Sequence, residues 1–407
     1  MEPGENPARP DLIAVSQACG LEINRRVYRR LGEMGWHVQI VADATFPGTT
    51  KPTEPQAAWE RGLHRLERRG SRTRYHTYRG LNELLGRLRP RAVLLDLEPD
   101  SFLAWQLGRW CRKNRAPLII QSCENLTAHF WKSLLGLRLK PAVRAGIMRA
   151  VNFLTRPLIA HVLGISAGVV EQMVRLGYGG RCSQIPLGFD PAIFTEDPAA
   201  RAEKRRALGL VHPTVGYFGR LTPVKGVHLL IGALAGLKHL PWQFLVDDFA
   251  ESGSAYAEQL TALIAKHGIA DRVVYFRAAH GEMPAFMNAA DIVALPSITT
   301  ATSKEQYGRV IPEAMACGRA MIVSDCGAFP ELAGDAAIII PEGDVPALRV
   351  AIESLLADEP ARQRLGAAGK KRAAEHFTLG VQAVKMDHVL RMLPHAVENE
   401  TLEHGPQ

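Results

Sequence analysis

EQYGRVIPEAMACG, residues Glu305 to Gly318, follows the apolar run DIVALPS (Asp291–Ser297) and sets two carboxylates eight residues apart. Proline is tolerated only in the first turn of a helix, where its missing N–H would have been unpaired, so Pro312 fixes a helix start near residues 309–311. Glu305 then sits in the loop at the helix mouth and Glu313 one or two turns inside. Gly308 lets a ligand come close to the backbone. The free amides of Gly308, Arg309 and Val310 can hold a phosphate, while carboxylates accept hydrogen bonds from sugar or ribose hydroxyls. Read alone, the two carboxylates fit ordinary helix-start charges equally well.

A buried strand, a loop and a helix in this order form the repeating unit of parallel α/β folds, and the same unit stands upstream. YFGRLTPVKG, Tyr217 to Gly226, places Arg220 and Lys225 where a strand ends and a helix begins. Two cations beside helix amides make a diphosphate site; two solvated cations on a surface loop are the bland alternative. As a diphosphate site, both side chains should be exposed and unpaired with core carboxylates. Short apolar runs recur through both halves, near Leu12–Ser16, His37–Ala42, Ala92–Asp96, Pro117–Ser122 and His161–Ile165, then near Thr214–Phe218, Gln243–Val246, Val273–Phe276, Ala320–Ser324 and Ala336–Ile340. The clearest helix runs from Glu22 to Met34, with Ile23, Val27, Tyr28 and Leu31 at helical spacing and a polar face bearing Arg25, Arg26, Arg29 and Arg30. A second, Glu375 to Leu393, carries the stripe Phe377, Val381, Val384, Val389 and Met392 and is expected to return to the N-terminal half.

The whole chain has 407 residues, enough for two domains, and IPLGFDPAIFTEDP from Ile185 reads as the connection between them. The expected division is 1–186, 187–374 and a C-terminal helix and tail over 375–407. Residues 1–185 carry 28 Lys and Arg against 15 Asp and Glu, whereas the remainder is net acidic. A basic half suits anionic partners or is a solvated Arg-rich surface; nucleic acid is not expected, because no zinc-finger, RRM-like or KH-like signature accompanies the charge. Six scattered cysteines without a CxxC pair argue for reduced thiols and against structural zinc. The most apolar stretch, Leu158–Val170, is too short to span a bilayer, and the N-terminus lacks a signal-peptide layout, so a cytoplasmic protein is expected.

These motifs in this order, with VSDCGAFPEL after the second carboxylate and IPLGFDPAIF between the halves, resemble the retaining glycosyltransferases of family 4, over nearly the whole chain. The resemblance implies the GT-B fold, two doubly wound Rossmann-like α/β domains facing a central cleft. N-terminal acceptor binding and C-terminal binding of a nucleotide diphosphate sugar are implied with it. Arg220 and Lys225 would bind the donor diphosphate, Glu305 the donor sugar hydroxyls and Glu313 the nucleotide ribose. The backbone at Tyr307, Gly308, Arg309 and Val310 would line sugar and phosphates, and Gly20 would approach the donor phosphate. Arg220, Lys225 and Glu305 are thus the expected catalytic residues, with the donor phosphate taking the acceptor proton on the same face. No metal and no cofactor beyond the donor substrate are implied. A nucleotide-sugar epimerase and a non-catalytic sugar-nucleotide-binding protein share the fold and remain alternatives.

The chain departs from the family pattern at three places. Cys19-Gly20-Leu21 offers one glycine where two are common, Val246-Asp247-Asp248-Phe249 stands where many members read GDG, and Gln121-Ser122-Cys123-Glu124-Asn125 replaces a histidine after the fourth strand, with His129 a little later. Glu124, Asn125 and His129 are acceptor-side candidates, although a strand-end carboxylate held by helix amides is an equal reading of Glu124. From Trp131 to Arg156 the chain mixes large apolar residues with cations and no acid, a composition that suits an anionic membrane surface or apolar positions packed on the sheet with cations solvated. Pro141 is expected to break that stretch into two segments. The acceptor would be a saccharide or a lipid-linked saccharide, reached by a cytoplasmic protein peripheral to the membrane.

Overall fold

The computed structural model describes residues 9–44, 53, 60, 62–70, 73–125, 139–248, 254–301 and 303–394. His129 and the first part of the Trp131–Arg156 stretch lie outside the described residues. The chain divides into two compact units, Met1–Pro186 with Leu379–Gln407, and Leu187–Thr378.

The first unit is built on strands β1 (Leu12–Val15), β2 (Val38–Asp43), β3 (Leu63–Leu66), β6 (Ala92–Asp96), β7 (Leu118–Ser122), β8 (His161–Gly164) and β9 (Cys182–Gln184), in the order 3-2-1-6-7-8-9. All pairs are parallel; Leu12 stands opposite Val38 on one side and Ala92 on the other. Every residue of LIAV in β1 is buried, as a strand covered on both faces requires. Strands β3 and β9 read poorly in the sequence because they are edge strands, half-buried and polar, whose His64, Arg65 and Ser183 pair with Gln39, the Thr53 carbonyl and His161. A short antiparallel ribbon, β4 (Arg68–Arg69) with β5 (Thr77–Tyr78), stands apart from the sheet.

Helices α1 (Glu22–Glu33), α2 (Leu81–Leu88), α3 (Phe102–Asn114), α4 (Leu139–Thr155) and α5 (Ala167–Met173) connect these strands. Pro141 falls in the first turn of α4, where no backbone bond is lost, and the part of its segment before Leu139 lies outside the described residues. Arg25 does not belong to an exposed face. Its side chain is fully buried, ion-paired to Glu60 at 2.5 Å and donating to the carbonyls of Cys19 and Thr53 at 3.1 Å each. A guanidinium is held in a core only when such partners replace water. Arg26, Arg29 and Arg30 do lie on the outer side, paired with Glu22 and Glu33.

In the second unit β10 (Thr214–Tyr217), β11 (Gln243–Asp247), β12 (Val273–Phe276), β13 (Ile292–Leu295), β14 (Ala320–Ser324) and β15 (Ala337–Ile340) form a parallel sheet in the order 12-11-10-13-14-15. Its helices are α6 (Pro198–Ala207), α7 (Val227–Ala235), α8 (Ala255–His267), α9 (Met283–Ala289), α10 (Val310–Ala316), α11 (Phe329–Ala333), α12 (Val345–Ala357) and α13 (Glu359–His376). Strand order reverses between β10 and β13. In open parallel sheets ligands bind outside the carboxyl ends of the strands at such a reversal.

The helix expected over Glu375–Leu393 is two helices. Helix α13 stops at His376 because Phe377 and Thr378 are drawn into an extended pairing with Phe189, whose amide donates to the Phe377 carbonyl at 2.9 Å. The last helix, α14 (Leu379–Met392), is part of the first unit, where Leu379, Ala383, Met386 and Leu390 join one core with Val27, Leu31 and Trp36. Trp36 donates from its indole nitrogen to Asp387 at 2.7 Å. Of the stripe read from the sequence, Val389 joins this core and Val381 is half-buried, whereas Val384 and Met392 face solvent and Phe377 precedes the helix.

Candidate functional site

The loops after β10 and β13 meet at the reversal point of the second unit. Arg220 lies exposed after β10 and makes no salt bridge with another described residue. Lys225 closes a single helical turn, Pro223–Lys225, and does not stand free. Its Nζ lies 2.5 Å from Glu305 Oε1, which also accepts from Ser297 Oγ at 2.8 Å. The expectation of an exposed, unpaired Lys225 is thus corrected. The physical cause is the residue that follows: Gly226 has φ 68°, and a side chain there would collide with the Pro296 carbonyl, so the chain after Lys225 lies against the end of β13. Close approach of the two loops brings the ammonium to the carboxylate.

Ser297 was not singled out in the sequence, though it ends the DIVALPS run. Buried, it holds one oxygen of Glu305, and its own carbonyl accepts from Ser324 Oγ at 2.5 Å, so Glu305 is braced by two neighbouring strand ends. Asp247, at the end of β11, was noted only as a departure from the family pattern. It is buried, accepts from the Gly219 amide, and loss of water pushes its carboxyl up to about 6.

Glu313 is buried in α10, and desolvation raises its carboxyl to about 7, offset in part by Arg309, whose Nε lies 3.9 Å away. Gly308 has φ 92° and faces the Phe329 ring, with which any side chain would overlap. Its place in the sequence is therefore required by packing as well as by conformation. The amides of Gly308 and Val310 donate to no described partner. The Tyr307 ring is buried and its hydroxyl donates to the Leu187 carbonyl at 2.7 Å, which leaves its main chain, not its phenol, at the loop.

The remaining candidates lie in the first unit. Gly20 is buried beneath Thr53, whose amide donates to the Gly20 carbonyl at 2.9 Å and whose hydroxyl accepts from the first amide of α1 at 3.1 Å. Glu124 is ion-paired with Arg74, which also holds Asp100. The carboxylate gripped at the strand end is instead Glu98: it accepts from Ser122 Oγ and from the Cys123 amide at 3.0 Å. Burial raises Glu98 to about 7. At the reversal between β1 and β6, Ser16 donates to Asp96 at 2.6 Å. Asn125 lies beside Gly168 at the start of α5. Arg74, Glu98 and Asp100 were missed; for the two carboxylates the acidic run DLEPD at the end of a buried strand was the available signal. Among the described residues no group of three His, Cys, Asp or Glu side chains is placed to hold a metal, and no helix is long and apolar enough to cross a membrane.

Known families match both units. The model of glycosyl transferases group 1 matches residues 201–372, and that of the glycosyl transferase 4-like domain matches residues 23–188. The lipopolysaccharide core biosynthesis mannosyltransferase LpsB of Rhizobium meliloti is 30% identical over 287 residues, 68% of this chain and 78% of that protein. The chain belongs to the group 1, family 4-like glycosyltransferases.

A second relative of this glycosyltransferase, the GDP-mannose-dependent alpha-(1-6)-phosphatidylinositol monomannoside mannosyltransferase of Mycolicibacterium smegmatis, is 31% identical over 255 residues, 60% of this chain. The match spans 62% of that protein's length, and 55% of its Mycobacterium tuberculosis counterpart. Among solved structures, sucrose-phosphate synthase from Thermosynechococcus elongatus superposes with a TM-score of 0.69 at 20% identity, over 93% of this chain and 98% of the other. Anabaena HepE, crystallised with UDP and glucose, gives 0.70 at 19% identity, over 94% and 100%. These neighbours share the fold of two parallel-sheet α/β domains that is the GT-B architecture.

Proposed function

We propose that this glycosyltransferase moves a hexosyl group from a nucleotide diphosphate sugar to a hydroxyl of a saccharide or glycolipid acceptor, with retention at the anomeric carbon. The carrying observation is the Lys225–Glu305 pair at the strand reversal of the second unit, where it joins the loop that bears Arg220 to the loop whose Gly308 and Val310 amides donate to no described partner. Arg220, Lys225 and the amides stabilise charge on the departing diphosphate, electrostatic catalysis of the kind that dominates many enzymes. Glu305, braced by Ser297, receives the donor sugar hydroxyls, and Glu313 the ribose. The donor phosphate takes the acceptor proton, so no metal and no covalent nucleophile is needed. A glycosidase-like pairing of Glu305 with Glu313 fits poorly, because that chemistry needs both carboxyls flanking one bond and Glu313 is enclosed in a helix.

The names of the relatives make GDP-mannose the first donor to try, and a lipid-borne or lipopolysaccharide saccharide the first acceptor. With such an acceptor the reading is of a cytoplasmic protein peripheral to the membrane, with no nucleic-acid partner. Incubation with a panel of sugar nucleotides tests the reading. Nucleoside diphosphate should be released, faster with acceptor present, and the product linkage should keep the donor's anomeric configuration. An altered sugar nucleotide formed without acceptor would instead mark an epimerase, and binding without turnover a non-catalytic protein.

A further inference from the structure

The second unit holds a charged cavity at the end of its sheet opposite the candidate site. Asp291 and Arg319 stand just before β13 and β14, whereas Ser297 and Ser324 lie at the far ends of the same strands. Residues of α6, α9 and α13 line a cavity of about 330 Å³ there, room enough for a small organic anion. Close packing of α13 shapes its floor: a Cβ on Gly366 would lie 2.3 Å from the Gly318 carbonyl, so only glycine allows the approach.

Four cations share two carboxylates around this cavity. Arg201 and Arg205 meet Asp291 at 2.5 and 3.1 Å, and Lys370 and Arg319 meet Glu196 at 2.5 and 3.4 Å. Asp197 and Glu359 also border it, but Asp197 caps α6 and Glu359 pairs with Arg362. Arg319 is more than nine-tenths buried and fixed by the main chain. Its Nε donates to the Cys317 carbonyl at 2.8 Å and its Nη1 to that of Ala290 at 3.0 Å, which Arg201 also takes at 2.7 Å. These bonds orient the guanidinium without neutralising it. Burial and the neighbouring Arg201 hold its pKa below the usual arginine range. Among the described residues Nη2 meets Glu196 alone, and Glu196, drawn close to Lys370, leaves it the longer contact. One carboxylate does not close on both cations. A tetrahedral dianion, with several terminal oxygens, can.

We propose that this cavity is a second anion site, which takes a phosphate dianion, free or as the head of a small phosphate monoester, between Arg319 and Lys370 in place of Glu196. It stands apart from the donor loops and does not rest on the transferase reading. Inorganic phosphate is the probe, chloride at matched ionic strength the control, and the melting temperature of the full chain the readout. Phosphate should raise it beyond chloride. Lys370→Ala should weaken the apparent affinity about tenfold or more, the worth of one charge-assisted hydrogen bond. Glu196→Gln, which removes the competing carboxylate, should tighten it by a similar factor. Arg220→Ala, in the donor loop, should leave the response in place. Glycerol 3-phosphate should follow the same order of variants; tighter binding than phosphate identifies the ligand as a monoester, and equal or weaker binding as the free ion. No stabilisation beyond chloride, equal responses from the wild type and Lys370→Ala, no tightening in Glu196→Gln, or a response lost in Arg220→Ala and kept in Lys370→Ala would each overturn the proposal.

Discussion

Lys225 Nζ and Glu305 Oε1 lie 2.5 Å apart although eighty residues separate them, because β10 and β13, which precede them, are neighbours in the sheet. The two charges assigned to different ends of the donor are thus partners in the protein itself, with side chains 23% and 11% exposed. A cation already matched to a carboxylate costs less to keep half-buried than one facing the site alone, and under the proposed function a diphosphate entering the site would compete for it.

Substitutions at this pair should therefore be read together. Lys225→Glu, which sets two carboxylates face to face, is expected to abolish transfer, as is Arg220→Glu in the exposed loop. Glu305→Gln should lower turnover at least a hundredfold, comparable to the loss of an oxyanion donor elsewhere. Nucleotide release with GDP-mannose, alongside a melting curve, checks all three. Turnover of Lys225→Glu near the wild-type rate would remove the diphosphate assignment.

Glu313 gives a pH dependence of defined sign. Its carboxyl is raised to about 7 in the folded chain, so between roughly pH 4.5 and 7 the folded state holds a proton that the unfolded state has lost, and stability falls as pH rises through that window. Glu98, also near 7, acts in the same direction. Urea midpoints from pH 5 to 8 should slope downward, and Glu313→Gln should flatten part of the slope while mainly weakening nucleotide binding. A slope identical in the variant would show that Glu313 titrates normally.

Gly308→Ala should be costly without touching a charged group. The left-handed backbone costs about 1–2 kcal/mol for any other residue, and overlap with Phe329 adds about 1–3 kcal/mol. A drop of several degrees in melting temperature is expected. Pairing it with Phe329→Leu should recover the steric part alone, which the double variant's midpoint measures.

Arg25 and Glu60 form a buried pair whose halves are unequal to its whole. Arg25→Met takes the guanidinium away from a buried carboxylate and should cost about 3–5 kcal/mol, whereas Arg25→Met with Glu60→Met should recover much of it. Chemical denaturation of both variants decides; a double variant no more stable than the single would contradict the accounting.

The seam between α1 and α14 offers a core test. Met386 is fully buried there, and Met386→Ala should cost about 2–5 kcal/mol, while Val384→Ala on the outer side should be nearly silent. The reverse ranking would restore the stripe first read from the sequence.

What the sequence determined by itself is what short-range chemistry controls. Central strands such as Leu12–Val15 and Ile292–Leu295 are legible because burial on both faces demands an unbroken apolar run, and the start of α10 because Pro312 permits no other. The site loops were legible for the same reason: Arg220, Lys225, Glu305 and Glu313 flank strands that announce themselves. Tertiary structure alone decided which of these side chains meet. The Lys225–Glu305 pair, the Ser297 brace and the Arg74 bridge between Asp100 and Glu124 all depend on strand order, which no local pattern encodes. The same holds for direction of facing. Arg25, on the polar face by its spacing, is buried, and the apolar residues of α4 are exposed over a buried Asn152, because a helical period records that a helix has two sides but not which side the rest of the chain will cover.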